Sequence, residues 1–187
     1  MRIGVFGGSF NPPHLMHLNI AKDLLRLKYL DKVIFVPTGN KYSKDDLIDI
    51  KYRIEMLKIM IFSYDDMIVS DYENQDRVVY TYETLDYFKK KYLGSEIYFI
   101  LGADNLKQIS NWKNSEYILS NYKLLVINRG DDKVEAKDNV VVMDILNNDI
   151  SSTFIRNNID NDDIIKKYLD KNVLEYIRKE KLYEGCS

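Results

Sequence analysis

Six short apolar runs, separated by stretches with helical periodicity, constrain the fold of this chain more than any other feature. They are Ile3–Phe6, Lys32–Pro37, Met67–Ser70, Ile97–Leu101, Leu124–Ile127 and Val140–Met143. Each is nearly continuous in apolar residues instead of alternating with polar ones. A strand of that kind needs cover on both faces, which a parallel sheet receives from the helices that cross between its strands. Those helices are expected at about His14–Tyr29, Ile50–Phe62 and Thr81–Tyr92; in the second, Ile54, Leu57 and Ile61 recur at helical spacing. The sequence therefore predicts an α/β fold, a doubly wound parallel sheet with helices on both faces. From Ser151 the pattern turns helical, over Ser151–Asn158, Asp163–Leu169 and Lys171–Lys181. This predicts one domain over 1–187, a sheet-based core at 1–149 and a small helical C-terminal part at 150–187. Asp131–Asn139 reads as a mobile loop.

Charge and cysteine usage limit the partners. With 27 Lys and Arg against 29 Asp and Glu, the net charge is −2. That leaves no general basic field for nucleic acid, so any polyanion site must be local. Cys186 is the only cysteine, which excludes an internal disulfide and fits a reducing compartment. No apolar run is long enough to span a membrane. The N-terminus enters a strand at once, without the apolar stretch of a secretory signal. The expectation is a soluble cytoplasmic protein without nucleic-acid or membrane partners; a homo-oligomer is compatible with the sequence. The fifteen tyrosines are read as packing and surface residues.

Ligands of open α/β sheets sit beyond the carboxyl ends of the strands. Four such segments stand out: Gly7–His17, Pro37–Lys44, Gly102–Asp104 and Asn128–Gly130. In the first, Gly7 and Gly8 permit close approach to a phosphate, and Pro12 and Pro13 pre-set the start of a helix whose amides attract anions. His14 and His17, the only histidines, are three apart and share a helix face. A glycine pair after a strand is common, and neither G-x-G-x-x-G nor the P-loop pattern is present. The H-x-x-H spacing also suits a metal, but a structural zinc needs further Cys or His ligands than Cys186 can supply. Far along the chain, Ser151-Ser152-Thr153 opens a helix with hydroxyls and amides, and Arg156 adds a planar cation. Read alone, that segment is equally a plain helix cap.

Gly7-Gly8-Ser9-Phe10-Asn11-Pro12 with His14-x-x-His17, together with Ile150-Ser151-Ser152-Thr153-Phe154-Ile155-Arg156, resembles the two signatures of the nucleotidylyltransferase superfamily. Within it, Val79–Leu85, the Ile100–Leu106 stretch followed by Trp112-Lys113, and the C-terminal Tyr168-Leu169 and Val173–Ile177 are similar to the nicotinate/nicotinamide mononucleotide adenylyltransferases. The resemblance implies a Rossmann-like fold and transfer of AMP from ATP to a pyridine mononucleotide. It implies catalytic roles for His14, His17 and Arg156. ATP would be held by Gly7, Gly8, Ser9, Phe10, Lys44, Gly102, Asp104, Ser152 and Thr153, and the mononucleotide by Asn40, Lys41, Thr81 and Trp112. Mg²⁺ would ride on the ATP oxygens with no protein metal ligand. Met16 stands where many bacterial members have glycine. Val36–Lys44 lacks their P-P-H-K and is closer to the loop of members that accept both the acid and the amide. The alternatives are a sister transferase with another phosphate acceptor, a non-catalytic nucleotide sensor, and an RNA-binding protein.

Overall fold

A computed structural model describes residues 1–42, 46–128, 134–137, 139–144 and 150–184. In chain order its elements are β1 (Arg2–Gly8), α1 (Leu15–Arg26), β2 (Lys32–Pro37), α2 (Ile50–Ile61), β3 (Met67–Val69), α3 (Thr81–Lys91) and β4 (Glu96–Gly102). There follow α4 (Ala103–Lys107), a 3₁₀ turn (Ile109–Asn111), α5 (Ser115–Asn121), β5 (Lys123–Asn128), β6 (Val140–Asp144), α6 (Ser152–Arg156), α7 (Asp162–Ile165) and α8 (Lys171–Lys179). All six expected strands are present, and every pairing is parallel. The order is β3-β2-β1-β4-β5-β6. The chain thus starts mid-sheet, winds outward through β2 and β3, then returns to the other side of β1. That reversal leaves a crevice at the carboxyl ends of β1 and β4.

The continuous apolar runs are explained by two cores, one on each face. Successive strand side chains point to opposite faces. Ile3, Val5, Ile34, Val36, Phe99 and Leu101 join one cluster with Leu85 and Phe88 of α3 and Ile118 of α5. Phe6, Val33, Phe35, Ile100, Leu125 and Ile127 join the other, with Leu24 of α1 and Leu57 of α2. Ile155, Ile165, Val173 and Ile177 belong to this second cluster. The C-terminal helices therefore share the core of α1 and α2 instead of building one of their own.

Three elements were not anticipated: α4, the 3₁₀ turn and α5. They are short and mostly polar, so no helical stripe marks them. The expected Asp163–Leu169 helix is only Asp162–Ile165, capped by Asn161, whose side chain accepts from the Ile164 amide. Of the expected mobile loop, residues 131–133 and 138 lie outside the described residues, as do Arg129, Gly130, Lys44 and Cys186. The described part is tethered: the Val134 amide donates to Asn128 Oδ1 at 3.0 Å, and Lys137 bridges to Val140. Among the described residues, no helix is long and apolar enough to cross a membrane.

Candidate active site

The crevice at the sheet's reversal is a cleft of about 740 Å³, within the range that holds nucleotide-sized ligands. Its floor is the end of β1. The Phe10 ring lies over Gly8; a Cβ on Gly8 would sit 3.1 Å from that ring, which would have to give by a few tenths of an ångström. Phe10 itself has a left-handed φ of 47°, costly for a bulky residue. It is held by burial of its ring among Phe6, Phe35 and His17, with centroids 5.6, 5.7 and 4.9 Å away. Strain maintained by packing at a turn of this kind is a mark of functional backbone.

His14 caps α1 and is buried, whereas His17, one turn on, is half-buried. Their ring centroids lie 3.7 Å apart. The backbone amide of His14 donates to His17 Nδ1 at 3.2 Å. An Nδ1 that accepts carries no proton, so neutral His17 keeps its hydrogen on Nε2 as a donor. The same bond takes Nδ1 out of metal ligation.

The C-terminal segment reaches this turn directly. Ser152 Oγ donates to the Pro12 carbonyl at 2.9 Å, and Arg156 Nη1 donates to the Asn11 carbonyl at 2.9 Å. Arg156 Nη2 also reaches Thr153 Oγ1 at 3.4 Å. Ser151 caps α6 by accepting from the Phe154 amide. On the opposite wall, α3 begins at Thr81, its start fixed by Glu83, which accepts from the Tyr80 amide at 2.9 Å. A fourth helix start, α4, follows Gly102; the Asp104 carboxylate lies where a Cβ on Gly102 would be. The starts of α1, α3, α4 and α6 thus converge on one cleft, where their dipoles set up a local positive field on a chain of net charge −2. Trp112 is half-buried at the rim and meets Phe99 edge-on at 6.0 Å.

Two charged residues that sequence reasoning missed are built into the walls. Glu73, half-buried on the loop before α3, accepts from Thr84 Oγ1 at 2.7 Å. Burial pushes its carboxyl up to about 7, against the pull of hydrogen bonds from Thr84 and the Gly39 backbone and of the Arg53 charge. Arg53 of α2 is fully buried and donates to the Ser9 and Ile48 carbonyls, each at 2.9 Å, and to Asn40 Oδ1 at 3.3 Å. Burial lowers its guanidinium to about 10, so it stays charged at neutral pH. Tyr80 and Tyr42 also line the cleft.

Of the expected site residues, Gly7, Gly8, Ser9, Phe10, His14, His17, Thr81, Gly102, Asp104, Trp112, Ser152, Thr153 and Arg156 all line this one cleft. Asn40 and Lys41 do not. Asn40 Oδ1 is occupied by the Ile50 amide at 2.7 Å and by Arg53, which anchors the start of α2. Lys41 pairs with Asp76 at 2.8 Å on the surface. Lys44 lies outside the described residues. At the fourth strand-end segment, Asn128 is buried and bonds Asp144 Oδ1 at 2.8 Å instead of lining the cleft.

The cytidylyltransferase-like family matches residues 5–158. A probable nicotinate-nucleotide adenylyltransferase of Clostridium perfringens is 38% identical, the match covering 97% of this chain and 98% of the relative. The Acholeplasma laidlawii counterpart is 37% identical over 96% of each. The chain belongs to the cytidylyltransferase-like family, among the nicotinate-nucleotide adenylyltransferases. Two solved structures of the Plasmodium falciparum nicotinic acid mononucleotide adenylyltransferase share the fold of this adenylyltransferase. The complex with NaAD aligns at TM-score 0.85 and 24% identity, and that with APC at 0.83 and 25%; each alignment covers 98% of this chain and 97% of the other. Met16 is accommodated in this member of the nicotinate-nucleotide adenylyltransferases because its side chain packs into the core between α1 and the sheet.

Proposed function

We infer that the chain is a nicotinate-nucleotide adenylyltransferase that moves AMP from ATP to nicotinate mononucleotide, and accepts the nicotinamide form as well. The carrying observation is that the His14/His17 turn and the Ser152–Arg156 helix start meet in one cleft, on a chain related along its whole length to these enzymes. The mononucleotide phosphate attacks the α-phosphorus of ATP; a P–O bond forms there as the bond to the bridging oxygen of the departing pyrophosphate breaks. The nucleophile is already anionic at neutral pH, so catalysis reduces to alignment and charge stabilisation.

In this reading His14 and His17 donate to the α-phosphate and the developing pyrophosphate. The backbone of Gly7, Gly8, Ser9 and Phe10 lies against the reacting centre. Ser152, Thr153 and Arg156 hold the outer phosphates, with Lys44 joining them from its loop. Gly102 and Asp104 meet the nucleoside of ATP. Trp112 stacks on the pyridine ring, and Thr81 receives its acid or amide group. Asn40 and Lys41 are omitted because each is committed elsewhere. Mg²⁺ carried on the triphosphate would neutralise charge on the leaving group; no protein ligand is assigned to it. We place the enzyme in the cytoplasm with its substrates.

The test is pyrophosphate release with ATP and each of three acceptors: the acid mononucleotide, the amide mononucleotide and phosphopantetheine. Dinucleotide formation with the pyridine substrates is expected. Turnover confined to phosphopantetheine, or none at all, would reject the reading.

A further inference from the structure

Arg53 carries a charge into the core, and its hydrogen-bond acceptors are all neutral: two backbone carbonyls and one side-chain amide, from the loop after β1 and the loop between β2 and α2. Burying a cation with no hydrogen-bonded carboxylate is expensive, even with Asp49 and Glu73 acting on it from a distance, and a well-packed apolar residue would ordinarily serve the fold better. The guanidinium does not line the cleft, but Ser9 and Phe10 do. In a planar trans peptide the carbonyl of one residue and the N–H of the next point in opposite directions. Since Arg53 takes the Ser9 carbonyl from the protein side, the Phe10 N–H is turned toward the cleft. No group among the described residues accepts from that N–H. Rotating this peptide by half a turn would move the φ of Phe10 from 47° into the ordinary negative range. The relaxed alternative is therefore the flipped one, which aims a carbonyl oxygen at the phosphates.

We propose that Arg53 is a positioning residue that locks the Ser9–Phe10 peptide with its N–H aimed at the reacting phosphates. Its charge also polarises that peptide, which strengthens the N–H as a donor. The proposal rests on the adenylyl transfer described above, and the experiment separates the two.

Wild type, Arg53→Met, Arg53→Lys and Met56→Ala are compared in steady-state dinucleotide synthesis, well below each variant's Tm. Met56 is a core residue on the same helix and serves as the stability control. For Arg53→Met, kcat is expected to fall by about one to three orders of magnitude, with either KM moving less than about threefold. Arg53→Lys should recover part of that loss, and Met56→Ala should lower Tm while keeping kcat. A wild-type kcat in Arg53→Met, or an equal kcat loss in Met56→Ala, would overturn the assignment. Inactive wild-type protein would reject the transferase reading instead. A second measurement needs no variant: titration of wild-type protein with pyrophosphate, followed by amide NMR. The Phe10 N–H resonance should move downfield as the site fills; a stationary Phe10 resonance while neighbouring amides shift overturns the proposal even if Arg53→Met fails to fold.

Discussion

His17 is oriented before any ligand arrives. With Nδ1 accepting from the His14 amide, the neutral imidazole carries its proton on Nε2, and its ring is oriented within the first turn of α1. Replacing His17 by Ala is expected to lower kcat by about two orders of magnitude with the circular dichroism spectrum unchanged; wild-type turnover would remove the residue from the mechanism. Glu73 makes a different kind of prediction. Its carboxyl titrates at about 7 in the folded chain, against an ordinary value of 4.5. Between those values the folded chain binds a proton that the unfolded chain has released. Stability is therefore greatest below 4.5 as far as this group is concerned, and declines as pH rises through about 7. Glu73→Gln should flatten that part of the Tm-against-pH curve, and identical curves for the two proteins would contradict the burial argument. The two residues also differ in how they could be found. The histidine pair and the glycine pair announce themselves by local spacing. Glu73 sits in a polar loop and Arg53 beside the apolar stripe of α2, where each reads as an ordinary surface charge. Their roles come from burial by segments distant in sequence, which periodicity does not encode.

At the scale of elements, what was legible follows from how each one is stabilised. The strands are buried on both faces, so their apolar runs mark them plainly, and β2 matches the expected Lys32–Pro37 residue for residue. The stretch from α4 through α5 is short and mostly polar and left no stripe to read. Trp112 belongs to that stretch. Because it meets Phe99 only edge-on, Trp112→Ala is expected to raise KM for the mononucleotide about two- to tenfold more than KM for ATP, the loss of roughly one aromatic stacking contact. Equal effects on the two substrates would argue against stacking. α6 is only five residues long, too short to persist alone, and it is fixed by its bonds to the first turn. Arg156→Ala removes one of those bonds together with the proposed phosphate contact. Calorimetry should show weaker ATP binding, and unchanged affinity would reject that contact. The resemblance in the Ile150–Arg156 motif foretold the segment's place; the hydrogen bonds that hold it there are visible only in three dimensions.

The whole molecule closes on itself. Tyr183 Oη donates to Asn11 Oδ1 at 3.0 Å across a separation of 172 residues, and the Leu15 amide donates to the Tyr168 carbonyl at 2.8 Å. The C-terminal helices also complete the core cluster over α1 and α2. A chain ending at residue 149 would expose that cluster and is expected to lose cooperative unfolding along with activity. A sharp thermal transition in the truncated chain would show that the sheet part stands alone. The order of synthesis then matters. On the ribosome the glycine turn and both imidazoles precede the serines and the guanidinium that complete their surroundings, Ser152 following Pro12 by 140 residues. If the two segments cradle a triphosphate as proposed, a growing polypeptide would have no finished cradle until the later one had emerged, so copies stalled between them could not sequester ATP.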